Sequence, residues 1–193
     1  MEKIKTTKSQ HSKTMQRTLD MAYIAVFAVI IALSSWISIP MTVPFTMQTF
    51  GVFCALGLLG GKRGTISICI YVLLGLIGVP VFAGFASGAG VLFGTTGGYI
   101  IGFILSGLIF WLITHFFGKK TYVIVMAMLI GLIVCYAFGT AWFMMVYAKN
   151  TGAVGIATAL GWCVLPFIIP DILKIALAIV ITKTVPKYVK IFN

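Results

Sequence analysis

The sequence predicts an all-α membrane protein, with six transmembrane helices between cytoplasmic N and C termini. Three observations lead there. Of 193 residues, 61% are hydrophobic and 9% charged, whereas roughly a quarter of the residues in a soluble domain are charged. Apolar stretches of about span length recur along the chain. Basic residues fall in short runs between those stretches, nearly all on one side of the resulting topology. The chain therefore divides into a basic cytoplasmic tail over 1–20, a membrane domain over 21–184 and a second basic tail over 185–193. A soluble fold of this length would need a charged surface that 14 basic and 3 acidic residues do not supply.

Taken in order, a first span is predicted over 21–39 and is ended by Pro40 and Pro44. A second over 46–60 and a third over 65–79 flank a tight basic turn at Gly60, Gly61, Lys62, Arg63 and Gly64. Each is about 15 residues, roughly 22 Å of helix, and so is short for a hydrocarbon core. The stretch 78–94, GVPVFAGFASGAGVLFG, is apolar yet too rich in glycine for a continuous helix. It is expected to be an irregular covering loop, because such backbone persists at membrane depth only where protein or a water-lined cavity satisfies it. A fourth span over 96–117 and a fifth over 122–148 flank the turn at Gly118, Lys119 and Lys120. Pro166 and Pro170 divide the remainder into a short helix over 154–162 and a main span over 167–184, with Pro170 in its first turn.

Drawn this way, the chain places Lys3, Lys5, Lys8, Lys13, Arg17, Lys62, Arg63, Lys119, Lys120, Lys183, Lys187 and Lys190 on one side. Only Lys149 falls on the other, and Lys174 lies within a span. The excess of basic residues marks the cytoplasmic side, so the loop over 78–94 faces outward. Because the net charge of +11 is dispersed along the chain, nucleic-acid binding is not expected. The polar N-terminal tail lacks the pattern of a signal peptide, so the first span is expected to remain as an anchor. Cys54, Cys69, Cys135 and Cys163 sit singly in apolar segments without metal-ligand spacing, and no metal site is predicted. Residues 56–63 lack the first glycine and the final serine or threonine of a phosphate loop, so no nucleotide site is expected. Two isolated histidines, His11 and His115, assemble no hydrolase.

Of the three acidic residues, Glu2 and Asp20 belong to the N-terminal tail or its membrane boundary. Asp171 lies in the last span, three residues before Lys174, which puts both on one helix face. A charge near the bilayer centre costs about 2.5–3.5 kcal/mol, so such residues persist where a pair or a ligand compensates. Either the pair braces the helices, or it grips a ligand that carries N–H donors beside a carbonyl acceptor. Phe82, Phe85, Tyr99, Trp142, Tyr147 and Trp162 gather on the outward side, as residues of a pocket or of an interfacial belt. In the first span Ala25, Ala28, Ala32 and Ser35 share a face, as do Gly98, Gly102 and Ser106 in the fourth. Such stripes serve internal packing or docking onto a membrane partner.

Four stretches carry a resemblance over about 21–184: VPFTMQTFGV at 43–52, LLGLIGVPVFAG at 73–84, GTTGGYIIGF at 94–103 and LPFIIPDILKIALA at 165–178. Together they resemble the BioY family, the biotin-specific substrate-binding subunits of energy-coupling-factor transporters. The resemblance implies high-affinity capture of biotin as transported substrate, with no cofactor and no enzymatic activity. It implies that Asp171 and Lys174 hold the ureido group, with Gln48, Phe82, Gly84, Tyr99 and Trp142 in or near the pocket. Ala28 and Ala32, with Ala25 on the same stripe, are implied to meet a transmembrane coupling protein, and two ATPase subunits would complete the assembly in the bacterial cell membrane. Thr95 stands where the family usually has proline, which loosens the turn before the fourth span. Another small vitamin as cargo, a membrane-embedded enzyme using Asp171 alone, and an assembly subunit without ligand are the competing readings.

Overall fold

The computed structural model describes residues 2–188, with side chains described from 14 to 186. The tail residues Lys3, Lys5, Lys8, Lys13, Lys187 and Lys190 have side chains outside the described residues. The elements run α1 (Glu2–Trp36), β1 (Ser38–Ile39), β2 (Phe45–Thr46), α2 (Gln48–Leu76), a 3-10 turn (Ala83–Phe85), α3 (Ala89–Leu92), α4 (Gly97–Phe117), α5 (Thr121–Thr151), α6 (Ile156–Cys163) and α7 (Leu165–Tyr188). Five stretches among the described residues are long and apolar enough to cross a membrane: Thr14–Trp36, Gln48–Leu76, Gly97–Phe117, Thr121–Thr151 and Ile156–Pro186.

The predicted second and third spans are joined as α2, but α2 is not straight. Gly60 has φ 77° and ψ 173°, a conformation outside the helix and open chiefly to glycine. Past it the chain folds back on itself. Gln48 Nε2 donates to Tyr71 Oη at 2.7 Å, although 23 residues of unbroken helix would hold them about 34 Å apart. A Cβ added at Gly64 would stand 2.9 Å from the Ala55 carbonyl oxygen and 2.9 Å from Leu56 Cα. The two legs thus pack backbone to backbone, an approach that small residues permit in a membrane bundle.

Elsewhere the boundaries differ in detail from expectation. The proline break between 39 and 45 closes as an antiparallel hairpin, with Ser38 paired to Thr46 and Ile39 to Phe45. That ladder satisfies backbone groups which an open turn would leave unpaired. α7 begins at Leu165, so Pro170 lies in its second turn rather than its first. Lacking an N–H, Pro170, the residue before Asp171, leaves the Pro166 carbonyl one turn back without its helical partner.

The core runs through Phe53, Leu56, Ile68, Tyr71, Phe110 and Met128, all buried. Gly98 lies against Trp142, Gly102 against Cys135, and Ser106 against Gly131, so the small-residue stripe of α4 is its contact with α5. On α1, Ala28 and Ala32 are buried in the core while Ala25 is exposed. The exposed apolar residues, among them Val26, Val29, Leu33, Leu112, Ile133, Leu173 and Leu177, form the outward faces of the helices.

Three contacts gather the basic segments at one end of the bundle. Arg63 pairs with Asp20 at 2.7 Å; the Lys119 ammonium stands 4.0 Å from the position of a Gly60 Cβ, and Thr182 lies against Gly57. The middle of α1 at Asp20, the turn of α2, the α4–α5 connection and the last turns of α7 therefore meet there. Gly64→Val should destabilise the protein by about 1–3 kcal/mol through overpacking. Gly90→Ala, whose Cβ meets open space, should change stability by less than about 0.5 kcal/mol. Thermal unfolding of the two variants in detergent checks the contrast.

Candidate functional site

At the opposite end, the segment after Pro44, the first turn of α2, the start of α4, the middle of α5 and the second turn of α7 surround a cavity of about 310 Å³. Its floor is polar. Asp171 and Lys174 are 2% and 4% exposed, and Lys174 Nζ donates to Asp171 Oδ1 at 2.8 Å. The i, i+3 spacing on α7 makes that contact local; the remaining partners come from distant sequence. Thr49 Oγ1 donates to Asp171 Oδ1 at 2.8 Å, and Tyr136 Oη donates to Oδ2 at 2.6 Å. Lys174 also donates to the Thr46 carbonyl at 2.7 Å and to Thr49 Oγ1 at 3.0 Å. The ammonium lies 4.4 Å from the centroid of the Phe45 ring, a further favourable contact for a desolvated cation.

Counting donors and acceptors shows what this cluster has left to give. An ammonium has three protons, and Lys174 spends them on Thr46, Thr49 and Asp171. A carboxylate offers about four lone-pair directions, of which Asp171 uses three. The open acceptor position is on Oδ2, the oxygen held by Tyr136. Gln48, buried at the cavity wall, uses one amide N–H on Tyr71 and has a second. Among the described residues no buried side-chain nitrogen or oxygen lacks a partner.

The rest of the wall is apolar and aromatic, with Val43, Phe82, Tyr99, Ile100, Phe103 and Phe167 prominent in it. Phe82 is set by a close approach: its ring packs so tightly over Gly75 that a Cβ there would overlap it. It also meets Tyr71 edge-on, with centroids 5.7 Å apart. Tyr99 lies along the wall with its hydroxyl bonded to Thr140 at 2.9 Å. The irregular segment 78–94 roofs the cavity, and its polar backbone is bonded to protein. Trp36 Nε1 donates to the Pro80 carbonyl at 2.9 Å, Ser35 Oγ donates to the Val81 carbonyl, and Gly88 N donates to the Gly75 carbonyl at 2.7 Å.

Of the residues singled out from sequence, Asp171, Lys174, Gln48, Phe82 and Tyr99 meet at this cavity. Trp142 and Gly84 do not line it. The Trp142 indole turns toward the end of the roof and donates to the Gly94 carbonyl at 3.0 Å. Gly84 sits exposed in the 3-10 turn at φ 66°, where it sets the path of the roof. Phe85 packs on Trp36, while Tyr147 joins Phe143 and Trp162 in a separate aromatic group. Thr46, Thr49 and Tyr136 were not singled out, and they are the groups that hold the ion pair. Their one sequence signal is that a span containing a buried charge needs polar partners from other spans. Among the described residues no group of histidine, cysteine, aspartate or glutamate is placed to hold a metal ion.

The family profile that matches this chain, over residues 6–191, is that of the BioY family. The chain is 41% identical over 150 residues to the biotin transporter BioY of Thermotoga maritima, spanning 77% of this chain and 75% of the relative. It is 39% identical over 165 residues to a probable biotin transporter BioY of Pyrococcus horikoshii, spanning 85% and 94%. Its fold is similar, with a TM-score of 0.78 and 27% identity over 90% of this chain and 94% of the other, to the crystal structure of the S-component for biotin from an ECF-type ABC transporter.

Tyr136→Phe and Thr49→Val each remove one hydrogen bond to the buried carboxylate. Such bonds contribute about 1.5–3 kcal/mol, so each change should weaken ligand binding by about 10- to 100-fold. Gly75→Ala should also weaken binding, because it displaces Phe82 from the cavity wall. Isothermal titration in detergent measures all three.

Proposed function

The chain belongs to the BioY family, and on that premise we propose that it captures biotin at the membrane for an energy-coupling-factor transporter. The observation that carries the reading is the open acceptor position on Asp171, at the polar floor of an otherwise apolar cavity. A cyclic urea presents N–H donors beside a carbonyl acceptor, and its fused apolar ring needs an apolar wall. One ureido N–H docks on Asp171 Oδ2, and the second N–H of Gln48 donates to the ureido carbonyl. Lys174, with its three protons committed, neutralises and fixes Asp171 rather than gripping the ligand. Phe82, Tyr99 and Phe167 enclose the bicycle. A cavity of about 310 Å³ falls at the lower end of the range for small-molecule sites.

Among the described residues the anionic end of biotin has no free cation to meet, because Lys174 is the one lysine or arginine that lines the cavity and it is saturated. That end therefore leaves through the mouth, past the hydroxyls of Thr95 and Thr96, and stays hydrated. Affinity then comes from the ring system, with little contribution from the charge.

We read α2 as two spans divided at Gly60, which makes six, with both termini and the basic end in the cytoplasm. The cavity then opens outward and the roof over 78–94 faces the outside of a bacterial cell membrane. ATP hydrolysis falls to two ATPase subunits acting through a transmembrane coupling protein. The exposed α1 face, Ala25 with Val26, Val29 and Leu33, is where that partner docks, and Ala28 and Ala32 support it from within. The chain is a transporter subunit rather than an enzyme.

Asp171→Asn should lower affinity for radiolabelled biotin by about 10- to 100-fold in a folded protein, since a ligand hydrogen bond to a charged group contributes about 1.5–3 kcal/mol. Full retention of binding overturns the assignment. Biotin amide, which lacks the anionic end, should bind within about tenfold of biotin, less than about 1.4 kcal/mol away. A much larger loss would place a charge contact inside the site.

A further inference from the structure

The basic end of the bundle carries a second concavity, of about 600 Å³, between α1, the turn of α2 and the end of α4. Gly60, Gly61, Lys62, Arg63 and Lys119 line it. Arg63 is engaged by Asp20 at 2.7 Å, which balances one positive charge. Lys62 and Lys119 are exposed and have no hydrogen bond or ion pair among the described residues. Lys119 Nζ reaches to 4.0 Å from where a Gly60 Cβ would stand.

Along the outer face of α4 runs an apolar groove of about 420 Å³, lined by Leu108, Ile109, Leu112 and Phe116. Trp111 and His115 belong to both the groove and the basic cleft, so the two sites adjoin. One is suited to an anion and the other to a hydrocarbon chain. Basic pockets between helices at the cytoplasmic surface are where anionic lipid head groups are held, and an indole such as that of Trp111 favours the depth at which head group and chain join.

From this adjacency we infer that the cleft and groove bind one anionic phospholipid, with its phosphate between Lys62 and Lys119 and an acyl chain along α4. A soluble anion would fill the cleft and leave the groove unused. A zwitterionic lipid would fill the groove but leave two positive charges less well balanced. The site lies at the far end of the bundle from the biotin cavity and does not depend on how that cavity is read.

Native mass spectrometry of the full chain, delipidated in neutral detergent, tests the inference by titration with phosphatidylglycerol, phosphatidylcholine or glycerol 3-phosphate. One phosphatidylglycerol should be retained in preference to both other probes. Lys62→Gln combined with Lys119→Gln should weaken its retention about thirtyfold, since a lysine near an anionic surface contributes about a factor of five. Biotin binding by the same sample should be unchanged, which also shows that the variant is folded. Leu112→Trp, which fills the groove, should weaken phosphatidylglycerol alone. Equal retention of phosphatidylcholine, equal binding of glycerol 3-phosphate, or indifference of phosphatidylglycerol to the lysine pair would overturn the inference.

Discussion

A buried carboxylate and a buried ammonium within a stretch long and apolar enough to cross a membrane impose the constraint from which the rest of this structure follows. Neither ion is tolerable there unless its hydrogen-bonding capacity is met by protein. Asp171 and Lys174 meet each other at 2.8 Å, but a single contact leaves most of that capacity unspent. The remainder is supplied by Thr46 and Thr49 from around the start of α2 and by Tyr136 from the middle of α5. Elements far apart in sequence are thereby tied to one point on α7. The hairpin between α1 and α2 is one consequence, because pairing Ser38 with Thr46 helps to set where the Thr46 carbonyl meets the ammonium.

The fold-back at Gly60 solves a second problem with the same residues. Two short legs packed backbone to backbone occupy less depth than two full spans, and the first leg begins at Gln48, on the cavity wall. The space beyond that start is roofed by the irregular segment 78–94 rather than by helix. Irregular backbone survives in that place because α1 and the end of α2 satisfy it through Ser35, Trp36 and Gly75. The molecule thus has unlike ends, one a roofed cavity with a polar floor and the other a cluster of basic turns.

Much of this was legible in the sequence because hydrophobicity and charge are local signals. The apolar runs, the turn at Gly60, the glycine-rich roof and the single intramembrane acid needed no knowledge of tertiary contacts. The short sequence motifs carried the family resemblance, and the family is borne out. What the sequence did not disclose depends on orientation in space. Trp142 is expected in or near the pocket, and only the structure shows that its indole bonds to the Gly94 carbonyl, beside the cavity rather than in its wall. Ala28 and Ala32 share a stripe that packing or docking could equally explain, and only the structure shows that they are buried in the core. Thr49 and Tyr136 were invisible because a threonine at a helix start and a tyrosine in a span are unremarkable until a charge stands beside them.

The ion pair has protein partners on both sides, as a pair that merely braces the helices would. Energetics argue otherwise. Desolvating two ions costs several kcal/mol each, and well-packed apolar side chains of similar volume often stabilise a buried site as well or better. A brace also calls for no space beside it, whereas this pair stands at the floor of a cavity of about 310 Å³. The bonding is also unequal. Lys174 is fully committed, while Asp171 retains an acceptor position on the oxygen that Tyr136 holds in place. Complete satisfaction of the cation leaves the anion oriented with its remaining capacity unspent, the condition under which a hydrogen-bond donor gains most from arriving, because nothing need be rearranged to receive it.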